Sequence, residues 1–350
     1  MNDKFTGCWT ALVTPFKDDI GVDWEQLEKN VEFQVEQGLT GLLPMGTTGE
    51  SATITHEEHA KVIGKVTDWA HGRAKVLAGT GSNSTEEAVH ETRLAHEIGV
   101  DGVLLVDCYY NKPSSIELRK EYYSIIAEKF PELDIVPYVI PGRSVTALLP
   151  EDLAILRSEY NNIVAVKEAT GDFQRMQRTR ELLDDDFNIL SGDDPNTYKM
   201  MTDPKIRAAG VVSVISNITP GPIEKYTRLI LDGKTEDAKA IDDALTPLFN
   251  VVGVKTEEEI KLPNGRKAKV VYKFPNPVPV KTMMNGLGMQ DSPCKRPMGR
   301  LTKAGVNIVR NALKTVWANN PEMLEPIEEF YHANISRRLD DDGVWNSLSY

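Results

Sequence analysis

The chain has 350 residues, 41% of them apolar and 26% charged, the balance of a globular protein with enough length to bury a sizeable core. A formal net charge of −12, with Lys and Arg dispersed along the chain, excludes the basic face that a sequence-independent grip on nucleic acid requires. No apolar run approaches a membrane span, and Met1-Asn2-Asp3-Lys4-Phe5 lacks the charged-then-apolar pattern of a signal peptide, so no membrane partner is expected. Cys8, Cys108 and Cys294 are odd in number and scattered, which points to a reducing, cytoplasmic setting. His56, His59, His71, His90, His96 and His332 form no zinc pattern. His56 and His59 read as a pair on a helix surface, and no metal is expected.

Short apolar runs recur along the first two-thirds of the chain. They are Trp9 to Val13, Gly41 to Met45, Lys75 to Ala78, Gly102 to Val106, Asp134 to Tyr138, Ile163 to Val166, Asn188 to Leu190 and Val211 to Val214. Continuous runs of this length fit strands buried on both faces. Longer amphipathic segments lie between them. Thr55-His56-Glu57-Glu58 and Ser84-Thr85-Glu86-Glu87 each read as an N-cap followed by an acidic first turn, and Gly38, Gly72 and Gly99 follow helical stretches. Eight strand-plus-helix units predict an α/β fold, a closed (β/α)8 TIM barrel. A doubly wound open sheet is the alternative. Its nucleotide fingerprint is missing, because Gly79-Thr80-Gly81 is not continued by a glycine at Ser84.

After the eighth unit, helices are predicted from Pro220 to Gly233, from Glu236 to Val252 and from Thr302 to Trp317. A β-hairpin insert is read at 255–273, turning at Pro263-Asn264-Gly265 with arms Ile260-Lys261-Leu262 and Val270-Val271-Tyr272. The tail 319–350 is expected to be helical around Met323 to Tyr331 and mobile beyond. The division predicted is a barrel over 1–233 and a C-terminal helical region with the hairpin over 234–350.

In such a barrel the chemistry sits at the C-terminal ends of the strands. The second strand ends in Gly46-Thr47-Thr48-Gly49-Glu50-Ser51, either a small-anion cradle or a plain glycine-rich turn. The sixth ends in Lys167 after four apolar residues. Burial there lowers an amine's pKa and makes it a nucleophile, unless the lysine is a structural one paired with Glu168. The fifth carries Tyr138 and then Arg143, suited to proton relay and to two-pronged carboxylate binding. The fourth is followed by Tyr109 and Tyr110, which on local grounds are core or interface aromatics.

Gly46-Thr47-Thr48-Gly49-Glu50-Ser51, Tyr109-Tyr110-Asn111-Lys112-Pro113-Ser114, Val166-Lys167-Glu168-Ala169-Thr170-Gly171 and Ser191-Gly192-Asp193-Asp194 together resemble the signatures of the 4-hydroxy-tetrahydrodipicolinate (dihydrodipicolinate) synthase family of pyruvate-dependent Schiff-base class I aldolases. The resemblance runs from about Phe5 to Leu313, is interrupted at 255–273, and resumes at Asn276-Pro277-Val278-Pro279-Val280-Lys281. It implies a lyase that condenses pyruvate with L-aspartate 4-semialdehyde in lysine and diaminopimelate biosynthesis, without cofactor. It also implies roles for single residues. Lys167 forms the imine, Tyr138 passes protons, and Thr47 links Tyr138 to Tyr110, which reaches into a neighbouring subunit of a homotetramer. Thr48, Gly192 and Val212 help bind pyruvate, and Arg143 binds the carboxylate of the aldehyde. The chain departs from the family at Val139-Ile140, where Asn-Val is common, and at Ser144, where Thr is usual. Ser51, Ala52, His56, His59, Asn83, Glu87 and Tyr109 match the family's lysine-feedback site, which implies allosteric inhibition; the bland alternative is a subunit interface. Rival activities are another pyruvate Schiff-base aldolase or hydratase-aldolase, such as a 2-keto-3-deoxy-sugar-acid aldolase or N-acetylneuraminate lyase, and a catalytically silent barrel.

Overall fold

The computed structural model describes residues 3–350; Met1 and Asn2, part of the stretch read for a targeting pattern, lie outside them. Eight parallel strands close into a barrel in chain order: β1 Gly7–Ala11, β2 Gly41–Leu43, β3 Lys75–Gly79, β4 Gly102–Val106, β5 Ile135–Val139, β6 Ala165–Glu168, β7 Asn188–Ser191 and β8 Gly210–Ser213. The ring closes where β8 pairs with β1, Val212 opposite Trp9. The TIM barrel is therefore the fold. The first strand starts and ends two residues before its predicted run, because the Gly7 N–H already donates to the Ala209 carbonyl at 3.0 Å.

The helix caps follow the sequence signals. The Thr55 hydroxyl accepts from the Glu58 N–H at 3.2 Å, and that of Ser84 from the Glu87 N–H at 3.4 Å. Each cap satisfies a donor that the first helical turn leaves open. Side chains that alternate along the strands fill the barrel interior, with Trp9, Leu43, Leu77, Leu104, Val136, Ala165, Leu190 and Val212 in one buried cluster.

The chain forms two compact units. One comprises the residues up to Leu12 with Val31–Asp242 and holds the whole barrel; the other comprises Val13–Asn30 and Asp243–Tyr350. No helix among the described residues is long and apolar enough to cross a membrane.

In the second unit the hairpin is present and longer than its apolar residues suggested. Strands β9 Val254–Lys261 and β10 Lys267–Phe274 pair antiparallel, with Gly265 at φ +82° in the turn. Its outer face is charged, and cross-strand ion pairs Lys267–Glu259 (2.6 Å) and Lys269–Glu257 (2.9 Å) lace it. A strand face made mostly of Lys and Glu gives no hydrophobic signal, so the apolar residues mark only part of each arm.

The tail corrects an expectation. Beyond Tyr331 it continues as two short helices, Ile335–Asp340 and Asp342–Asn346, and Trp345 is 1% exposed. The indole lies against Gly286, where any Cβ would collide with the ring, and its N–H donates to the Arg338 carbonyl at 2.9 Å. Arg338 in turn donates to the carbonyls of Gly286 and Asn285, both at 2.8 Å, closing the end of the helix Val278–Leu287. One buried tryptophan thus anchors a segment whose composition reads as polar. Trp345→Ala is expected to cost about 3–5 kcal/mol of this unit's stability, and a chemical-denaturation midpoint within error of the parent would refute the anchoring.

Candidate active site

Strand periodicity sets the site. On β5, Val136 points into the barrel core, and two residues on Tyr138 does so as well; on β6, Ala165 and then Lys167 share one face in the same way. Tyr138 and Lys167 are register partners on adjacent strands. The Lys167 Nζ lies 4.0 Å from the centroid of the Tyr138 ring. On β7 the inward series runs from Leu190 to position 192, where glycine stands. A Cβ at Gly192 would lie 2.7 Å from that of Ala169 and 3.1 Å from Lys167 Cε. The absent side chain is the space in which the lysine chain extends.

Lys167 is 5% exposed, and burial is the main reason its amine is pulled down to about 7; the nearby Arg143 charge acts in the same direction, against Asp194 and Asp193. Near neutral pH a substantial fraction is therefore free amine, the form that attacks a carbonyl. Glu168 does not pair with it. That carboxylate accepts from Arg175 Nε at 3.1 Å and from the Thr170 N–H at 3.2 Å, so the reading of Lys167 as a lysine salt-bridged to Glu168 falls. Burial pushes the Tyr138 phenol up to about 12, with Arg143 and a hydrogen bond to Thr47 opposing. It stays protonated and available to donate.

Thr47 and Tyr138 are thus joined, and Thr48 is buried beside them in the turn where the N–H groups of Gly49 and Glu50 donate back to Gly46 and Thr47, both at 3.1 Å. Val212 is buried on β8, inside the barrel. Arg143 sits in the single turn Pro141–Ser144 at the mouth, exposed, its charge felt by both Lys167 and Tyr138. Tyr110 stands apart, 83% exposed on a left-handed backbone with φ +77°.

The residues matched to a feedback site gather only in part. His56 and His59 lie on the helix His56–Ala70, and Glu87 on the neighbouring helix Thr85–Ile98, with Asn83 just ahead of it. The Glu87 carboxylate accepts from Ser82 Oγ at 2.6 Å. Ser51 and Ala52 belong to the single turn Ser51–Thr53, and Tyr109 to the segment after β4. His59 is buried, against the helix-surface reading. It and His56 face one buried carboxylate, Glu91, whose oxygens lie 2.6 Å from His56 Nδ1 and 2.8 Å from His59 Nδ1, the second out of hydrogen-bond alignment. Burial raises the Glu91 carboxyl, but the two imidazoles outweigh it and hold it below the ordinary range.

Sequence assigns no role to two further carboxylates, of which Asp194 stands within the signature Ser191-Gly192-Asp193-Asp194. Asp194 is pushed up to about 6 by burial and accepts from Ser213 Oγ (2.5 Å) and the N–H groups of Val214 (2.9 Å) and Ile215 (3.3 Å), closing the loop after β8. Asp107, directly after β4, is pushed by burial to about 7. At Asp107 the signal is an acid directly after the apolar run Gly102 to Val106.

Residues 4–316 match the model of the "Dihydrodipicolinate synthetase family". The chain belongs to this family. A 4-hydroxy-tetrahydrodipicolinate synthase of Syntrophus aciditrophicus is 39% identical over 315 residues, 90% of this chain and 98% of that one. The structure of the corresponding synthase from Methylacidiphilum fumariolicum superposes with a TM-score of 0.80 at 36% identity, covering 93% of this chain and 99% of that one. That of the Cyanidioschyzon merolae enzyme, determined with lysine bound, gives 0.79 at 32% identity and covers 89% and 98%.

An amine adds to a carbonyl only as the free base, so any borohydride-trapped adduct of pyruvate on Lys167 is expected to form faster as pH rises through about 7 and then to level off. A flat profile from pH 6 to 9, measured by mass spectrometry of the adduct, would refute the lowered pKa. Gly192→Ala is expected to slow trapping and, because its Cβ would meet that of Ala169, to lower the melting temperature as well.

Proposed function

We propose that this chain is a 4-hydroxy-tetrahydrodipicolinate synthase, a lyase that condenses pyruvate with L-aspartate 4-semialdehyde through an imine on Lys167. The observation that carries the reading is a buried lysine of near-neutral pKa against a protonated tyrosine at the C-terminal mouth of a barrel of this family. The Lys167 amine adds to the pyruvate carbonyl, and water leaves to form the imine. Tyr138, hydrogen-bonded to Thr47, delivers the proton that the departing oxygen needs. Loss of a proton from the pyruvate methyl gives an enamine, whose carbon attacks the aldehyde. The amino group of the semialdehyde then closes onto the imine carbon and releases Lys167. Thr48, Gly192 and Val212 form the pyruvate pocket, and Arg143 holds the carboxylate of the second substrate.

A homotetramer in which Tyr110 completes the relay of a neighbouring subunit is part of this proposal. An exposed aromatic held at φ +77°, a conformation costly for a bulky residue, supports a role outside its own barrel. Feedback by L-lysine is proposed at Ser51, Ala52, His56, His59, Asn83, Glu87 and Tyr109. The carboxylate and amide oxygens of Glu87 and Asn83 suit an ammonium group, and a relative has been crystallised with lysine.

A coupled assay with both substrates is expected to show turnover that Lys167→Ala abolishes and that Tyr138→Phe lowers by roughly 10²–10⁴-fold. A borohydride-trapped pyruvate on Lys167 without turnover of the semialdehyde would move the chain to another aldehyde, such as that of a 2-keto-3-deoxy sugar acid. Absence of the adduct would leave a silent barrel. Lysine at millimolar levels is expected to inhibit the parent and to lose that effect in Glu87→Ala; an unaltered rate in the parent would remove the allosteric proposal.

A further inference from the structure

Arg143 is exposed at the barrel mouth, yet the segment that follows it is held at nearly every step. Ser144 Oγ lies 2.7 Å from the Thr146 carbonyl and 3.1 Å from that of Ile140, with its single proton to share between the two. Thr146 Oγ1 donates to the Pro113 carbonyl at 2.5 Å, and the Leu149 N–H to Ser115 Oγ at 2.8 Å. Leu148 is gripped from both sides: its N–H donates to Asp107 Oδ2 at 3.1 Å, and its carbonyl accepts from Arg175 Nη2 at 2.5 Å.

The two gripping residues are themselves fixed to the catalytic strands. The Asp107 N–H donates to the Tyr138 carbonyl at 3.1 Å, and the other carboxylate oxygen accepts from the Tyr123 hydroxyl at 2.6 Å. Arg175 Nε is paired with Glu168, the residue directly after Lys167, at 3.1 Å. Asp107 is fully buried, and a carboxylate taken out of water is expensive to keep. Packing alone gives no reason for an acid there. The Leu148 peptide is the point where β4, the Tyr138 strand, the Lys167 strand and the Arg143 segment meet.

We propose that Asp107 and Arg175 are positioning residues for Arg143: by clamping the Leu148 peptide they set where the guanidinium stands above Lys167 and Tyr138, and so the affinity for the carboxylate of the second substrate. This rests on the reading that Arg143 binds that carboxylate. Asparagine at 107 keeps an oxygen for the Leu148 N–H, while its amide donates to Tyr123, whose hydroxyl turns to the Leu105 carbonyl 3.1 Å away. Alanine removes the clamp.

The test is steady-state kinetics on the full chain with each substrate varied in turn, for Asp107→Ala, Asp107→Asn, Arg143→Ala and the Asp107→Ala/Arg143→Ala double variant, beside borohydride trapping of pyruvate. Asp107→Ala is expected to raise the semialdehyde KM roughly tenfold, leaving the pyruvate KM and trapping rate within about twofold. Asp107→Asn should stay within about threefold of the parent, and the double variant should be no worse than Arg143→Ala alone. Effects that multiply in the double variant, or a fall in trapping with the semialdehyde KM unchanged, would overturn the proposal. Arg143→Ala with a parental semialdehyde KM would instead remove the carboxylate reading on which it rests. Should Asp107→Ala fail to fold, Thr146→Val loosens the same segment from its solvent side. It is expected to raise only the semialdehyde KM, by about threefold, and no change there would equally count against the clamp.

Discussion

The constraint on which the candidate site depends is the burial of one amine, that of Lys167. An ammonium group inside an apolar barrel loses most of its hydration, and the protein answers by letting the proton go near neutral pH. The surrounding residues are arranged consistently with that outcome. The acid next in sequence, Glu168, is taken by Arg175, and Asp194 spends its oxygens on Ser213 and two backbone N–H groups. Gly192 leaves an inward position empty so that the lysine chain can extend. Tyr138 covers the amine with its ring and, raised by the same burial, keeps its own proton. One desolvated pocket thus pushes a base and an acid in opposite directions, which is what imine chemistry asks of a neighbouring pair.

Around this pocket, buried carboxylates serve as anchors. Asp107 and Asp194 each lie just past a barrel strand and each accept from backbone N–H groups of a loop, Leu148 in one case and Val214 and Ile215 in the other. Such acids are costly singly, but at a strand end they join a rigid ladder to loops that bear Arg143 or close the barrel rim. Glu91 plays the same part between two helices, facing His56 and His59. The surface turns of a barrel are where chemistry varies, and buried acids at the strand ends are how this chain gives those turns defined positions.

The second unit is built on a different economy. Its hairpin carries charge on one face and ion pairs across the strands, and its tail is secured by a single indole with two arginines, Arg338 and Arg310. The family model ends at residue 316, so the last helices lie beyond the matched region.

By itself the sequence determined the barrel, the order of its strands and the residues at their ends. Continuous apolar runs, caps at Thr55 and Ser84, and Lys167 closing a four-residue apolar run are all local signals, and each was legible because a strand or helix end is decided within a few residues. What only the tertiary structure decided was pairing across the chain. Whether Glu168 met Lys167 or Arg175, whether His59 was surface or buried against Glu91, and whether Trp345 was tail or anchor depended on contacts between distant segments. Charge and size declare that a residue needs a partner. Only the closed barrel and the packed helices brought a particular partner within reach, because hydrogen bonds and desolvation act over a few ångströms and sequence distance does not record them.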